Sequence, residues 1–436
     1  MRTTALLRRR ILRRQAHVAI IDQGALGLSL ACAVVEAGFT VTGYDRSRTR
    51  IEQLAAGSAN GAGIQEERFL SIRETGRLSF TSDPELLADA EVLVVCVPVP
   101  LRDELPDLVP LIDGCRQIGK FLGRGRLVVV ESAPFPGATE EVVLPLLEGN
   151  GCVGGRDFLL ACSPPRPAAE ADDPRGGPPS PKVVGGVTPE ATGVAGLFYG
   201  QLWDDVIAVS SSRAAELAKL LDGAFHNVNT ALVNELAVVC HEAGIDVWEV
   251  LQAASTRSLG FEPFQRGAPV AGYRPPPGIG APNVEVELNG RRPLRILDQA
   301  LEINAEMPNY VASRIADALN DARKAVKGAQ ILVLGVSGEG GDLEVRDAPA
   351  LRVIANLVRR GARMSFHDPS VSSLPFDGAH LMRIDLTERA VQAADCVALL
   401  APQGAYDLGW VEEHAQLLFD ARNAFGSDRR RRVIRL

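Results

Sequence analysis

The chain has 436 residues, of which 46% are hydrophobic and 23% are charged, and its formal net charge is −8. This composition is typical of a globular protein of about three domains and excludes disordered, collagen-like and membrane-spanning classes. The acidic balance gives no electrostatic reason to expect nucleic acid or an anionic membrane as a partner.

The seven cysteines show no C-x-x-C spacing, so the sequence predicts neither a disulfide framework nor a metal site. We therefore expect a reducing, cytoplasmic location. The longest apolar stretch, residues 92–101, is about half as long as the ~20 residues that a membrane helix needs. Basic residues concentrate in residues 2–14 and 429–435, and we predict that both segments are solvated tails.

Apolar periodicity in the first part of the chain predicts strands at 17–21, 40–44, 92–97 and 127–131 and helices at 28–37 and 106–122. Strands that alternate with helices in this way argue for a parallel, doubly wound sheet. The Pro- and Gly-rich segments 164–181 and 267–282 are predicted loops.

In the rest of the chain the predicted elements are a long helical stretch at 214–254 that is interrupted around Gly244, helices at 307–326 and 349–360, and strands at 330–336, 363–367, 396–400 and 417–420. The strand at 330–336 leads into a predicted glycine-rich turn at 337–341. The predicted fold class is therefore α/β, with two Rossmann-like doubly wound domains joined by a central helical dimerisation region. The predicted bounds are a basic tail at 1–16, an N-terminal Rossmann domain at 17–212, a central helical domain at 213–327 and a C-terminal Rossmann domain at 328–436.

The turn after the first predicted strand follows a dinucleotide-binding pattern with one departure. Gly24 and Gly27 occupy the second and third glycine positions of the fingerprint, but Asp22 occupies the first. An aspartate adds a Cβ and a negative charge near the expected pyrophosphate, so we expect weakened or lost cofactor affinity. Asp45, at the end of the second strand, is placed to accept hydrogen bonds from a ribose diol, which favours NAD over NADP.

Several short motifs, in the same order along the chain, resemble the nucleotide-sugar 6-dehydrogenase family, which includes the UDP-glucose, GDP-mannose and UDP-N-acetylmannosamine dehydrogenases. They lie at residues 24–28, 76–83, 97–101, 181–186 and 234–246. The resemblance runs from residue 17 to about residue 425. It implies a three-part fold, a dimer across the central helix, and four-electron oxidation of a sugar C6 alcohol to a carboxylate with two NAD. The family's mechanism passes through a thiohemiacetal on a catalytic cysteine.

The resemblance also implies which residues contact ligands. In the first domain, the residues assigned to NAD are Gly24, Leu26, Gly27, Asp45, Arg46, Val97, Pro98, Glu131 and Ser132. The residues assigned to a nucleotide sugar or related sugar are Gly272, Tyr273, Arg274 and Arg346.

The residues that carry the family's chemistry do not match. Arg274 stands at the position of the nucleophilic cysteine, and Gly278 stands at the position of an aspartate. An arginine cannot form a thiohemiacetal, because its guanidinium stays protonated and is not a nucleophile. Further family residues, a threonine, a glutamate, an asparagine and a lysine, are replaced by Ala133, Pro165, Gly223 and Glu339.

Two candidate catalytic residues remain on the predicted central helix. Lys219 is one of only five lysines in the chain and matches a family lysine, so it could stabilise an oxyanion or take a proton. His226 follows seven residues later on the same helical face and is a candidate base. Cys162 is a weaker candidate for a replacement nucleophile, because a buried thiol usually behaves as a small hydrophobe.

We therefore predict a diverged family member that is not a four-electron 6-dehydrogenase. Its chemistry would be an NAD-linked two-electron reaction, or a redox-neutral, epimerase-like reaction, on a nucleotide sugar or related sugar. The alternative, from a different class, is a non-catalytic pseudoenzyme that supports a partner protein. In either case we expect a homodimer through residues 214–254, with a mixed dimer with an active homologue as the alternative assembly.

Overall fold

The structure is a computed structural model, and it describes residues 2–59, 64–102, 105–132, 134–165, 181–256, 294–337, 349–376, 379–401, 406–426 and 433–436. The described residues form two compact units, the first ending at Gly223 and the second beginning at Ala224. The predicted domain bounds divide the chain differently and stay a prediction.

The first unit is built on an eight-stranded sheet. Its strands are β1 His17–Ile21, β2 Thr40–Tyr44, β3 Leu78–Thr81, β4 Val92–Val95, β7 Arg126–Val130, β8 Phe158–Cys162, β9 Lys182–Gly186 and β10 Val206–Ala208, with a separate small hairpin of β5 Leu101–Arg102 and β6 Leu105–Pro106. The sheet order is β10-β9-β8-β7-β4-β1-β2-β3, and every neighbouring pair is parallel except β8 with β9.

Helices cover the sheet of the first unit. They are α1 Arg2–Leu12, α2 Ala25–Glu36, α3 Arg48–Ala55, α4 Glu66–Glu74, α5 Val109–Phe121, α6 Leu144–Leu147 and α7 Pro189–Tyr199, with 3₁₀ turns at Pro84–Asp89 and Glu148–Asn150 and a π-helix at Ala138–Val143. Two hydrophobic clusters, one on each face of the sheet, bury the central strands β1, β4 and β7. Such strands are apolar throughout because both faces are covered.

The second unit contains a five-stranded parallel sheet of order β12-β11-β15-β16-β17. Its strands are β11 Gln330–Leu334, β12 Arg363–His367, β15 Cys396–Leu399, β16 Leu418–Asp420 and β17 Val433–Arg435, beside a hairpin of β13 Ser373–Phe376 and β14 Ala379–Met382. Its helices are α9 Val247–Ala254, α10 Arg295–Asp321, α11 Pro349–Arg359, α12 Glu388–Ala393 and α13 Leu408–His414. The long helix α8, Ser212–Glu242, begins in the first unit and ends in the second.

These elements confirm the predicted α/β class with two doubly wound parallel sheets and a central helical region. The strands predicted at 17–21, 40–44 and 363–367 have the observed bounds, and the long helical stretch is interrupted around Gly244, as predicted. Gly244 has a φ of 68°, a left-handed conformation that ends α8 without strain.

The prediction of solvated basic tails is wrong at the N-terminal end, and at the C-terminal end it is wrong for residues 433–435, whereas residues 427–432 lie outside the described residues. Residues 2–12 form helix α1, in which Leu7 and Ile11 are 2% and 0% exposed and pack in the hydrophobic cluster of the first unit. Arg10 forms an ion pair of 2.9 Å with Glu91, just before β4. At the other end, Val433–Arg435 is an edge strand of the second sheet. The prediction failed because it weighed the many arginines and not Leu7 and Ile11, which are four residues apart and share one helix face.

Replacing Leu7 or Ile11 by alanine is therefore expected to lower the free energy of unfolding by about 2–5 kcal/mol each, because each leaves a cavity in the core. Leu6 and Leu12, on the same helix, are 53% and 56% exposed and provide the matched controls. Their alanine variants should stay within about 0.5 kcal/mol of the parent in urea unfolding. Equal effects at all four positions would contradict the packing of α1.

Candidate functional site

The carboxyl ends of six parallel strands, β8, β7, β4, β1, β2 and β3, meet at one edge of the first unit's sheet. Ligands of doubly wound sheets bind in the crevice at that edge. Since β9 runs antiparallel to β8, its first residue, Lys182, comes to the same edge. The structure therefore brings the predicted cofactor residues after β1, β2, β4 and β7 together at this edge.

The turn after β1 is shaped by Asp22. Its backbone φ is 78°, a left-handed conformation that favours glycine. Its Oδ1 accepts a hydrogen bond of 2.8 Å from the N–H of Gly24, the N-cap residue of α2. Burial raises the pKa of the Asp22 carboxyl to about 6, and the bond from Gly24 opposes this rise. The carboxylate therefore lies where a diphosphate would approach the helix N-terminus.

The rest of this turn fits a dinucleotide fold. A Cβ on Gly27 would overlap the Asp22 carbonyl oxygen, so only glycine allows α2 to pack this closely on the strand end. Asp45, just after β2, accepts hydrogen bonds from the N–H groups of Gln23 at 3.0 Å and Ser47 at 2.8 Å. Its carboxylate is thus fixed at the end of β2, where dinucleotide-binding folds carry the acidic residue that binds a ribose diol, and its own role stays a prediction.

The remaining predicted cofactor residues lie in different surroundings. Arg46 is exposed and forms an ion pair of 3.1 Å with Asp113. The Ser132 hydroxyl donates a hydrogen bond of 3.1 Å to the Val95 carbonyl. Val97 is buried, Pro98 is exposed and Leu26 is half-buried. Their assignment to NAD stays a prediction.

Glu131, also assigned to the cofactor, forms a buried ion pair. Its Oε1 lies 2.8 Å from Nζ of Lys182, and the Tyr199 hydroxyl donates a hydrogen bond of 2.6 Å to the same oxygen. The Lys182 ammonium also donates to the Pro164 carbonyl at 3.1 Å. It lies 4.8 Å and 5.0 Å from the ring centroids of Tyr199 and Trp203. Lys182 and Glu131 are each 1% exposed at their side chains.

Lys182 was not among the site residues predicted from the sequence, although it belongs to one of the family motifs. Two signals could have found it. Lysines are scarce in this chain, and Lys182 opens a strand whose five residues are all buried. A fully buried lysine is rare unless it is paired, so a partner carboxylate is expected nearby.

Lys219 lies on α8, one turn after Ala215. Ala215 packs against Cys162, at the end of β8, and Val183, at the start of β9. Because residues four apart share a helix face, Lys219 follows on the face that contacts the strand edge. Burial lowers the pKa of Lys219 from 10.5 to about 8. The Glu131 carboxylate opposes this change, and the Lys182 ammonium adds to it.

Glu216 fixes this part of α8 against the loop after β7. Its carboxylate accepts hydrogen bonds from the N–H of Gly137 at 2.6 Å and the N–H of Thr139 at 2.9 Å. It also accepts one from the Thr139 hydroxyl at 2.6 Å. These bonds cap the π-helix that begins at Ala138, whose first N–H groups have no partners within the helix. The carboxylate thereby sets the position of the helix that carries Lys219.

The thiols described at this edge are unsuited to nucleophilic attack. Cys96 and Cys162 are 2% and 0% exposed. Burial raises the pKa of both thiols well above their ordinary value, with a further rise from nearby carboxylates. Both are therefore protonated at neutral pH, and the structure argues against Cys162 as a replacement nucleophile.

His226, the second predicted catalytic residue, is half-buried on α8 seven residues after Lys219. Lys219 belongs to the first unit and His226 to the second. The role of His226 as a base stays a prediction.

In the second unit, Asp368 organises the carboxyl ends of β11 and β12. Its Oδ2 accepts hydrogen bonds from the N–H groups of Val336 and Ser337 at 2.9 Å and 3.0 Å, and Oδ1 accepts from the N–H groups of Ser370 and Val371. Burial acts to raise the pKa of Asp368, but these hydrogen bonds outweigh it and lower the pKa. The start of the predicted glycine-rich turn is therefore held rigidly.

The four predicted substrate-binding residues, Gly272, Tyr273, Arg274 and Arg346, lie outside the described residues. So do the replacements Ala133, Gly278 and Glu339. Within the described ranges, no group of three or more His, Cys, Asp or Glu side chains could hold a metal ion. No helix in those ranges is long and apolar enough to cross a membrane.

Because Lys182 and Glu131 neutralise each other in a buried environment, Lys182→Met alone is expected to cost about 3–5 kcal/mol of unfolding free energy. The double variant Glu131→Gln/Lys182→Met should recover most of that loss, because no charge is then left buried. Lys120→Met, at an exposed lysine, is the control and should change stability by less than about 0.5 kcal/mol. A double variant as unstable as Lys182→Met would contradict the pairing.

Comparisons with known proteins cover nearly the whole chain. Three parts of the UDP-glucose/GDP-mannose dehydrogenase family match in order: the NAD binding domain at residues 16–202, the central domain at 213–306 and the UDP binding domain at 332–427. The UDP-N-acetyl-D-glucosamine 6-dehydrogenase of Pseudomonas aeruginosa is 31% identical over 382 residues, which are 83% of this chain and 84% of that protein.

A second relative, the UDP-N-acetyl-D-mannosamine dehydrogenase of Pyrococcus horikoshii, is 28% identical over 391 residues, or 88% of each chain. The solved structure of a UDP-D-ManNAc dehydrogenase from Pyrococcus horikoshii superimposes with a TM-score of 0.81 at 26% identity, covering 96% of this chain and 98% of that one. The ordered matches along the sequence and the shared fold agree with the two sheets and the helical middle described above. The chain belongs to the UDP-glucose/GDP-mannose dehydrogenase family.

Proposed function

We propose that this protein is a diverged nucleotide-sugar dehydrogenase that does not run the cysteine-dependent four-electron oxidation. Its substrate is a nucleotide sugar or related sugar, and its reaction is an NAD-linked two-electron oxidation or reduction, or a redox-neutral, epimerase-like conversion. One observation, made of two parts, supports the proposal: neither the nucleophile's position nor the thiols described at the sheet edge provide a nucleophilic thiol. Arg274 stands in the nucleophile's position, and the described thiols Cys96 and Cys162 are buried and protonated.

Lys219 would then be the polarising group. An ammonium at the carboxyl edge can donate a hydrogen bond to an oxygen on which negative charge develops, and its neutral amine can accept a proton. With a pKa near 8, both forms are present at physiological pH. His226 is the weaker candidate for the base.

The residues at the crevice fit only part of NAD. Asp45, Gly24 and Gly27 suit the adenosine ribose and the close approach of α2. The Asp22 carboxylate does not suit a diphosphate while it is ionised, because it takes the Gly24 N–H and carries the same sign of charge. We therefore propose weakened NAD binding.

The Asp22 carboxylate also favours a second candidate function. A family member whose cofactor crevice is blocked could serve as a non-catalytic partner of an active homologue. Its seven free thiols suit a reducing compartment, and we place either form of the protein in the cytoplasm.

Thermal unfolding with added ligands separates the two functions. Enzyme function predicts a rise in Tm with millimolar NAD and a further rise with a nucleotide sugar, because ligands that bind only the folded state stabilise it. Lys219→Ala should abolish turnover while keeping both shifts. No shift with either ligand would support the non-catalytic partner.

The weakening by Asp22 has its own test. Asp22→Gly should tighten NAD binding about tenfold or more. The variant removes a negative charge whose repulsion of the diphosphate costs about 1.4 kcal/mol of binding free energy, and it places a glycine at a backbone position that is left-handed. In the parent protein, NAD affinity should fall as pH rises through about 6, where the carboxyl loses its proton. Titration calorimetry at pH 5.5 and 7.5 measures the NAD affinity of Asp22→Gly and the pH dependence of NAD affinity in the parent protein.

Asp22→Asn is the matched control, because it keeps the side-chain shape without a titrating group. Its NAD affinity should not change between those two pH values. If the parent protein's affinity is as independent of pH as that of Asp22→Asn, the carboxylate does not oppose the diphosphate.

A homodimer through the central helix is supported by an exposed apolar face on α8. Phe225, Leu232 and Val239 are 55%, 58% and 55% exposed and recur every seven residues, which places them on one side of the helix. Exposed apolar rows of this kind mark protein interfaces. The mixed dimer with an active homologue would use the same face.

Leu232→Asp is expected to convert the dimer to monomers, because a charge would be buried in the apolar contact. Light scattering coupled to gel filtration measures the mass. Leu86→Asp, at an exposed leucine (49%) in the first unit, is the control and should stay dimeric. A parent protein that is monomeric alone and dimeric only with a homologue would support the mixed assembly.

A further inference from the structure

Helix α1 precedes the part of the chain that matches the family. The family's NAD binding domain matches from residue 16, whereas α1 spans Arg2–Leu12. The helix leads into β1, and Arg10 forms its ion pair with Glu91 just before β4. α1 therefore lies near the amino-end edge of the sheet, away from the crevice at the carboxyl edge, and the proposed function assigns it no role.

The exposed side of α1 is strongly basic. Residues 2–14 contain six arginines and no acidic residue, although the whole chain has a net charge of −8. Four of these arginines are exposed and form no ion pair with any residue that the structure describes: Arg8, Arg9, Arg13 and Arg14. Their charges are therefore available to an anion outside this chain.

A fifth exposed arginine extends this surface. A Cβ on Gly38, just after α2, would lie 3.3 Å from Cδ of Arg14 and 3.4 Å from Nη1 of Arg77, so the two side chains flank the same glycine. Nη1 of Arg77 also donates a hydrogen bond of 2.8 Å to the Gly38 carbonyl. Like charges at this separation repel each other, and an anion bound beside them removes the repulsion. We call Arg8, Arg9, Arg13, Arg14 and Arg77 the basic face.

Two leucines lie among the arginines of the basic face. Leu6 and Leu12 are 53% and 56% exposed. Residues three or four apart share one side of a helix, so Leu6 lies in a row with Arg9 and Arg13. Leu12 lies beside Arg8 for the same reason. The exposed side of a helix is convex and does not enclose a small anion, so this surface fits an extended partner that carries both carboxylates and apolar side chains.

The acidic remainder of the chain favours a short partner. α1 has 11 residues and is about 16 Å long. A membrane or a long nucleic acid would extend beyond the basic face and be repelled by the acidic surface around it. A short acidic peptide contacts the arginines alone. Its carboxylates accept paired hydrogen bonds from the guanidinium groups, which is the strongest arrangement for these two ions.

We propose that the basic face of α1 is a docking site for an acidic, partly apolar peptide segment of a partner protein. The carboxylates of the segment pair with Arg9 and Arg13, and its apolar side chains cover Leu6 and Leu12. The site lies away from the carboxyl edge, so docking leaves the crevice open. The inference does not depend on whether the protein is an enzyme.

The test titrates the whole protein into a fluorescein-labelled peptide of about twelve glutamates and leucines, with binding measured by fluorescence anisotropy. We expect saturable binding that weakens about tenfold when NaCl is raised from about 0.05 M to about 0.3 M, because salt screens exposed charges. The same peptide with glutamine in place of glutamate should not bind. Equal binding of the two peptides would overturn the inference.

Two double variants with the same net charge test where the peptide binds. Arg9→Glu/Arg13→Glu reverses the charge of α1 and should weaken binding about tenfold or more. Arg352→Glu/Arg389→Glu reverses two exposed arginines of the second unit and should bind within about twofold of the parent. Equal losses in the two variants would mean that only net charge acts, which would overturn the inference.

The leucines have a separate test. Leu6→Gln/Leu12→Gln keeps every charge and should weaken binding about threefold or more, because the apolar contact is lost. Leu86→Gln, at an exposed leucine elsewhere in the first unit, is the control and should not change affinity. Unchanged affinity in the α1 variant would contradict the apolar part of the proposal.

Competition distinguishes the peptide from other polyanions. Phosphatidylglycerol vesicles represent a membrane, and a single-stranded oligonucleotide represents a nucleic acid. At equal concentrations of negative charge, neither should displace the labelled peptide, because both are repelled by the acidic surface around α1. Displacement by either competitor would overturn the assignment of the basic face to an acidic peptide.

Discussion

The buried ion pair between Lys182 and Glu131 is the constraint on which the site depends. A charge without a partner inside a sheet of this kind would cost several kcal/mol, so each of the two groups fixes the other. Their pairing joins the start of β9 to the end of β7, and the two charges act on the pKa of Lys219 in opposite directions, while burial is the larger cause of its fall. The pair therefore stabilises the framework of the first unit at the sheet edge where the candidate cofactor residues lie.

The turn after β1 keeps a Rossmann geometry although Asp22 stands at its first glycine position. Gly27 is required because the Asp22 carbonyl approaches it too closely for a side chain, which is a packing constraint that does not involve the cofactor. Asp22 itself can replace glycine because its side chain caps the turn through the Gly24 N–H. Under the proposal of weakened NAD binding, this cap keeps the fold at the expense of the diphosphate site.

Much of the fold was predictable from the sequence, because buried parallel strands are continuous apolar runs and glycines mark their turns. The strand at 17–21 and the break near Gly244 are examples. Helix α1 was not predicted because its arginines outnumber its two core residues, Leu7 and Ile11. The helical spacing of these two apolar residues is therefore hard to recognise in so basic a segment. In the site, the match to a family lysine singled out Lys219, whose catalytic role stays a prediction. The partners of Lys182 and Glu216 were not predictable, because they are 51 and at least 77 residues away and only the tertiary fold brings them together.

The central claim is that this family member has lost the covalent thiol route to a carboxylate and retains a lysine at the sheet edge. The most direct measurement counts NADH released per molecule of nucleotide sugar consumed and identifies the product by mass spectrometry. The account predicts no uronic acid and no more than one NADH per sugar. A nucleotide-linked uronic acid formed with two NADH per sugar would contradict it.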